Sequence, residues 1–203
     1  MANMQAPHAV TGDEASWSVD AATARRLHAD GYTVLVPWRV AWGDMDANGH
    51  VNNATYFRYF ETVRIAFVRA VEERVRRALP ATANGTTAEG NGGGNGAMAH
   101  PAPAAGNKAA LAGLILASIG CKFVRPLAFP DRIVLAAKAV EVTERRLVIR
   151  HCVFSERFGD VAAVGDGVMV GYDYASLRRA PIPGPIVAAA RQNTTLAGFS
   201  AKL

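Results

Sequence analysis

From Thr33 the chain alternates. Val34, Val36, Trp38, Val40 and Trp42 fall on one side of the run, and Leu35, Pro37, Arg39 and Ala41 on the other. A period of two predicts a strand, and Pro37, with no N–H to offer a neighbour, places it at an edge or a bulge. After Asn53 the period changes. Tyr56, Phe60, Val63, Phe67, Val71 and Val75 recur every three or four residues, with Arg58, Glu61, Arg64, Glu72 and Arg76 between them. This predicts a long amphipathic helix from Asn53 to about Arg77, with Asn52 or Asn53 as N-cap and Pro80 marking its end. Leu114–Val124, Arg132–Val142, Arg146–Phe154 and Val161–Tyr174 read as four further strands. The separators Thr143–Arg145 and Phe158–Asp160 are short enough for hairpins, so consecutive strands form an antiparallel meander.

Between helix and second strand the pattern stops. Residues 81–110 contain no Leu, Ile, Val or aromatic residue and include Asn91-Gly-Gly-Gly-Asn-Gly96. Such a stretch cannot bury enough surface to offset its ordering entropy. One strand and one helix make no core by themselves, so 81–110 is an inserted loop in a single domain, 33–183. Residues 1–32 form a loose N-terminal arm with a short helix around Ala21–Ala29. Residues 184–203 form a polar C-terminal tail, helical at Val187–Arg191. The predicted class is α+β: a five-stranded antiparallel sheet against one long helix, which buries the apolar face of each.

Composition adds little to this picture. The 203 residues carry a net charge of +5, which favours anionic partners. The basic residues are scattered in pairs such as Arg76-Arg77 and Arg178-Arg179, with no zinc-finger, helix-turn-helix or aromatic-basic motif, which speaks against nucleic acid. No apolar run reaches the roughly 18–20 residues needed to cross a bilayer. The first 30 residues lack the apolar core of a signal peptide, and Asp13, Glu14 and Asp20 oppose a mitochondrial presequence. Two cysteines, Cys121 and Cys152, make no disulfide framework and fit a reducing compartment; both fall in predicted strands as packing residues.

The chemistry concentrates between first strand and helix, in Trp42-Gly-Asp-Met-Asp-Ala-Asn-Gly-His-Val-Asn-Asn53. Two carboxylates, a histidine and three asparagines share one loop that ends where a helix exposes free N–H groups. A carboxylate beside open donors suits acyl transfer: it attacks or deprotonates water while the donors hold the oxyanion. Asp44-x-Asp46-x-Asn48-Gly49 also matches half of a calcium EF-hand loop. Thr55 stands where the bidentate Glu belongs, and the incoming element is a strand, so calcium and other metals are set aside. Turn formation by Asp44 and Asn48 is the bland alternative.

The stretch Arg39-Val-Ala-Trp-Gly-Asp-Met-Asp-Ala-Asn-Gly-His-Val-Asn-Asn-Ala-Thr-Tyr-Phe-Arg-Tyr-Phe-Glu61, with Arg64 after it, resembles the signature of hotdog-fold acyl-CoA thioesterases of the 4-hydroxybenzoyl-CoA thioesterase-like branch. Its Asp-x-Asn-x-His-Val-Asn-Asn part is similar to plant acyl-ACP thioesterases, and Tyr172-Asp-Tyr174 through Pro181-Ile-Pro183 also looks like the family. The resemblance covers roughly residues 33–183 without the insertion. It implies a hotdog fold, a sheet wrapped around the long helix. It implies hydrolysis of an acyl-CoA to acid and CoA, with Asp46 as nucleophile or general base and Asn48 and His50 as further catalytic positions. Asp46 and His50 compete for the water proton; Asp44 is a support residue. Asn53 would supply the oxyanion donor, and Tyr56 and Phe57 substrate contacts. No cofactor is required, because CoA belongs to the substrate; a thiol pKa near ~8.5 lets thiolate leave without a strong acid. Lys122, Arg125 and Arg132 flank the Pro126–Pro130 turn as candidates for the CoA phosphates. A homodimer or homotetramer is expected by the same resemblance.

The terminal Ala201-Lys202-Leu203 is a close variant of the peroxisomal Ser-Lys-Leu address, so the expected location is the peroxisomal matrix, reached through the import receptor, with the cytoplasm as alternative. Two other functions stay open at this stage. A hotdog hydratase would need a Pro that Ala47-Asn48-Gly49-His50 lacks. A non-catalytic acyl-thioester-binding module would typically retain the pocket without the carboxylate.

Overall fold

The computed structural model describes residues 18–78 and 113–192. Helix α1 (Ala21–Ala29) leads into strand β1 (Val34–Val40), a 3-10 turn at Trp42–Asp44, and the long helix α2 (Asn53–Ala78). Then come β2 (Leu114–Ile119), β3 (Lys122–Phe123), β4 (Asp131–Val142), β5 (Arg146–Ser155), β6 (Asp160–Asp173), β7 (Arg178–Arg179) and helix α3 (Gly184–Arg191). Asn52 caps α2, its Oδ1 accepting the Ala54 N–H at 2.9 Å.

Every pairing is antiparallel, and the long strands run in the order β1-β4-β5-β6-β2. β4, β5 and β6 form the expected meander. β2 does not join it at β4, because β1 already occupies that edge from Val34↔Ala137 to Val40↔Asp131. It crosses instead to the far side of β6, where Leu114 meets Gly171. The run 114–124 also proves to be two strands. Gly120 and Cys121 break it, and β3 re-pairs with β6 at Val164 and Ala163. With two-residue β3 and β7 the sheet has seven strands among the described residues, of which five are long.

Both faces of the sheet are covered. On β4, Ile133, Leu135, Ala137 and Ala139 join the core made with Phe60, Val63, Phe67 and Val71 of α2, while Val134 and Ala136 point the other way. That second face packs with Leu27, Tyr32, Cys152 and Phe154. Leu27 is only 1% exposed, and Asp20 caps its helix through the Ala22 and Thr23 N–H groups. The described end of the N-terminal arm is therefore packed rather than loose. The start of the predicted tail behaves likewise: α3 begins at Gly184 and buries Ile186, Val187, Ala189 and Ala190 against α2 and β4. The insertion 81–110 and Ala201, Lys202 and Leu203 lie outside the described residues. Among the described residues no helix is long and apolar enough to cross a membrane.

Candidate active site

The loop between β1 and α2 is a small hairpin held by its own backbone. Met45 and Val51 form an isolated antiparallel bridge, the Asp46 N–H donates to the His50 carbonyl at 2.9 Å, and the Gly49 N–H returns to the Asp46 carbonyl at 3.0 Å. Gly49 sits at φ +74°, a left-handed conformation that glycine adopts without a steric penalty. The hairpin is anchored from both sides. Asn52 N–H reaches the Asp44 carbonyl at 2.9 Å, and Val51 N–H reaches the Leu127 carbonyl at 2.8 Å. Asp44 braces the base: its Oδ2 accepts the Ala41 N–H at 2.8 Å and the Tyr59 hydroxyl at 2.7 Å.

Asp46 is held at the tip of this frame. Its Oδ1 accepts the Asn48 N–H at 2.8 Å, and its Oδ2 takes no hydrogen bond from a described residue. The carboxylate is half-buried, whereas Asn48 and His50 are exposed. Asn53, the first residue of α2, offers a backbone N–H that the helix cannot use and that no described residue takes up.

A cavity of about 360 Å³ gathers these groups. Asp46, Asn48, His50, Val51, Asn53 and Tyr56 line one side, and Phe123, Val124, Arg125 and Pro126 the other. The second wall is fixed to the sheet, since both Val124 and Arg125 N–H groups donate to the Ala162 carbonyl at 2.8 and 3.0 Å. It is fixed to the helix too: the Leu127 N–H donates to the Tyr56 hydroxyl at 3.4 Å, and the Phe123 ring meets Tyr56 edge-on at 5.1 Å. Burial raises the Tyr56 hydroxyl pKa above its ordinary value, so it remains a neutral phenol.

Six of the sequence-predicted residues thus share one cavity: Asp46, Asn48, His50, Asn53, Tyr56 and Arg125. Phe57 is not in its lining; 38% exposed, it packs edge-on against Phe60 outside. Lys122 and Arg132 are not in it either. Lys122 is exposed on β3, and Arg132 lies opposite Arg39 near the β1 edge of the sheet. Arg125 pairs with Asp160 at 3.4 Å, and Asp160 also holds Arg26 of α1 at 3.0 Å. Sequence reasoning missed Phe123, Val124 and Pro126 as wall residues. The break at Gly120-Cys121, visible in the sequence, was the signal that this stretch leaves the strand. Among the described residues no group of three or more His, Cys, Asp or Glu is placed to hold a metal ion.

A long helix wrapped by a curled antiparallel sheet is the hotdog fold. The model of the thioesterase-like superfamily matches residues 40–190, and the chain belongs to that superfamily. Among solved structures it is similar to a protein from Pseudomonas aeruginosa strain PAO1, with 24% identity, a TM-score of 0.56, and coverage of 83% of this chain and 96% of that one. It is similar to a thioesterase from Thermus thermophilus complexed with coenzyme A and Zn, at 23% identity, TM-score 0.57, and coverage of 81% and 96%. An Asp-to-Asn mutant of 4-hydroxybenzoyl-CoA thioesterase, complexed with 4-hydroxybenzoyl-CoA, matches at 16% identity, TM-score 0.54, and coverage of 77% and 97%. No curated protein matches the chain.

Proposed function

We propose that the protein is an acyl-CoA thioesterase and that Asp46 is its catalytic carboxylate. The observation that carries this reading is that one cavity is lined by both Asp46, one of whose oxygens takes no hydrogen bond from a described residue, and Asn53, whose N–H no described residue takes up. A thioester carbonyl directed at Asn53 would build up negative charge where a helix N-terminus favours it. As general base, Asp46 takes a proton from water, the water oxygen bonds to the carbonyl carbon, and the tetrahedral oxyanion rests on the Asn53 N–H. The C–S bond then breaks, thiolate departs and the acid is released. As nucleophile, Asp46 bonds to the carbonyl carbon directly, the C–S bond breaks and thiolate departs, and water then hydrolyses the resulting anhydride to free acid and the Asp46 carboxylate. Asn48 holds Asp46 through its N–H, and exposed His50 stands at the mouth, where it can relay a proton to solvent. Tyr56 is a wall for the acyl group. Arg125 is the cation available to a CoA phosphate, and no cofactor enters the reaction.

The test is release of free thiol from a panel of acyl-CoAs. Asp46→Asn should lower turnover by at least ~100-fold with the fold intact. A variant that keeps the wild-type rate would sink the assignment, and wild-type protein that binds acyl-CoAs without releasing thiol would sink the enzyme reading.

A further inference from the structure

The two halves of the proposed chemistry sit on different elements. Asn53 is the first residue of α2, whereas Asp46 belongs to the hairpin that precedes it. Their relative placement depends on what ties hairpin to helix. Two tyrosines of α2, Tyr56 and Tyr59, share this task, their rings edge-on with centroids 6.0 Å apart. The Tyr59 hydroxyl donates to Asp44 Oδ2 at 2.7 Å, and the Asp44 carbonyl accepts the Asn52 N–H at 2.9 Å. Tyr56 works through the second wall: its hydroxyl accepts the Leu127 N–H, and the Leu127 carbonyl accepts the Val51 N–H. The bonds therefore run from helix to hairpin, on to the second wall and back to the helix.

Tyr56 lines the cavity; Tyr59 and Asp44 do not. Tyr59 is 3% exposed within the core that holds Phe60 and Val63, where a phenylalanine would fill the same space without needing a partner. Its hydroxyl is directed to Asp44, two residues before Asp46. Asp44 Oδ2 also takes the Ala41 N–H at 2.8 Å, which pins the point where β1 ends and the hairpin begins. Burial first and Asp44 next keep the Tyr59 hydroxyl protonated, so it is a permanent donor. Tyr59 is six residues past Asn53 on the same helix, about 9 Å at the helical rise per residue. The element that carries the open N–H thus also carries the anchor of the carboxylate loop.

We propose that Tyr59 is a positioning residue whose hydroxyl, acting through Asp44, holds the Asp46 hairpin in register with the Asn53 N–H. Misplacing a reacting group by about 1 Å can lower a rate by ~100-fold. The loss falls on the chemical step more than on binding, because the wall that carries Arg125 is fixed separately, through the Ala162 carbonyl and the Tyr56 hydroxyl. The kinetic part of the inference rests on the acyl-CoA reading above.

The experiment compares wild type with Tyr59→Phe, Asp44→Ala, Asp44→Asn and the double variant Tyr59→Phe/Asp44→Ala. Two readouts are taken: steady-state thiol release from the acyl-CoA of the panel that turns over fastest, and amide hydrogen exchange. Tyr59→Phe should lower kcat at least ~10-fold and leave KM within ~2-fold of wild type. Asp44→Asn, which retains an oxygen for the hydroxyl, should lose less activity than Asp44→Ala. Asp44→Ala should in turn lower kcat less in the Tyr59→Phe background than in wild type, since the shared bond is already gone. The Asp46 and Asn52 N–H groups should exchange at least ~10-fold faster in Tyr59→Phe, while amides of β4 and β5 keep their wild-type rates and show the fold intact. An unchanged kcat in Tyr59→Phe would overturn the proposal even with faster exchange, because the hydroxyl would then serve stability alone. Should wild type hydrolyse no acyl-CoA, the thioesterase reading falls and exchange decides the rest: a hairpin loosened in Tyr59→Phe upholds the anchor, and unchanged exchange overturns it.

Discussion

Asp44 and Asp46 are two residues apart and have different surroundings. Asp44 spends its Oδ2 on the Ala41 N–H and the Tyr59 hydroxyl, while Asp46 keeps one oxygen unbonded. The Tyr59 phenol is raised well above its ordinary pKa by burial first and by Asp44 next, so it stays a donor to that carboxylate. His151 gives a sharper prediction. Burial lowers it from 6.5 to about 4, the Gly165 carbonyl opposing and Arg64 assisting. The unfolded chain therefore binds a proton on this residue between those values and the folded chain does not. The associated stability is complete above pH 6.5 and is lost as pH falls towards 4, by about 3 kcal/mol in all. Urea unfolding at stepped pH should show this slope, and His151→Gln should remove its part of it. Asp46, Asn48 and His50 were legible because the sequence packs them into one loop. The placement of His151 was not, since it stands alone in a strand pattern and only strand register and helix phase bring it against Phe60 of α2.

At the level of elements, β6 makes room by omission. Gly165 and Gly167 occupy inward positions where a side chain would collide with what α2 and β5 supply. A Cβ on Gly167 would stand 2.8 Å from His151 Cε1; one on Gly165 would stand 2.6 Å from Phe60 Cε2 and collide with the Gly120 carbonyl oxygen. Gly165→Ala should cost about 3 kcal/mol, roughly 6–12 °C in melting temperature. A melting temperature within a degree of wild type would show that the sheet yields there. The helix and the strands β1, β4, β5 and β6 could be read from period and turn signals, within a few residues, whereas the run 114–124 read as one strand and is two. The crossing of β2 could not. A hydrophobic period fixes which face a strand buries and says nothing about which neighbour it pairs with.

For the whole molecule, the open edges decide the next level. β2 ends the sheet opposite β1, and Phe123, Val124 and Phe57 beside the cavity are 45%, 50% and 38% exposed. An edge that no described strand pairs, next to apolar surface, invites a second strand. A homodimer formed there should give a solution mass near twice 21.5 kDa by light scattering; a monomer at micromolar concentration would reject it. The opposite face of the sheet is already taken by α1, which Arg26 ties to the β5–β6 turn through the Gly159 carbonyl at 2.7 Å. The same turn supplies Asp160, shared between Arg26 and cavity-lining Arg125. Asp160 is thus a built-in competitor for any anion that reaches Arg125. A weakly charged group gains little by displacing it, whereas a doubly charged phosphate gains more. Added salt screens this contest, because both guanidinium groups are about half exposed. The outer helix and the cavity mouth are thereby joined through one carboxylate, so a ligand that takes Arg125 leaves Asp160 wholly to α1.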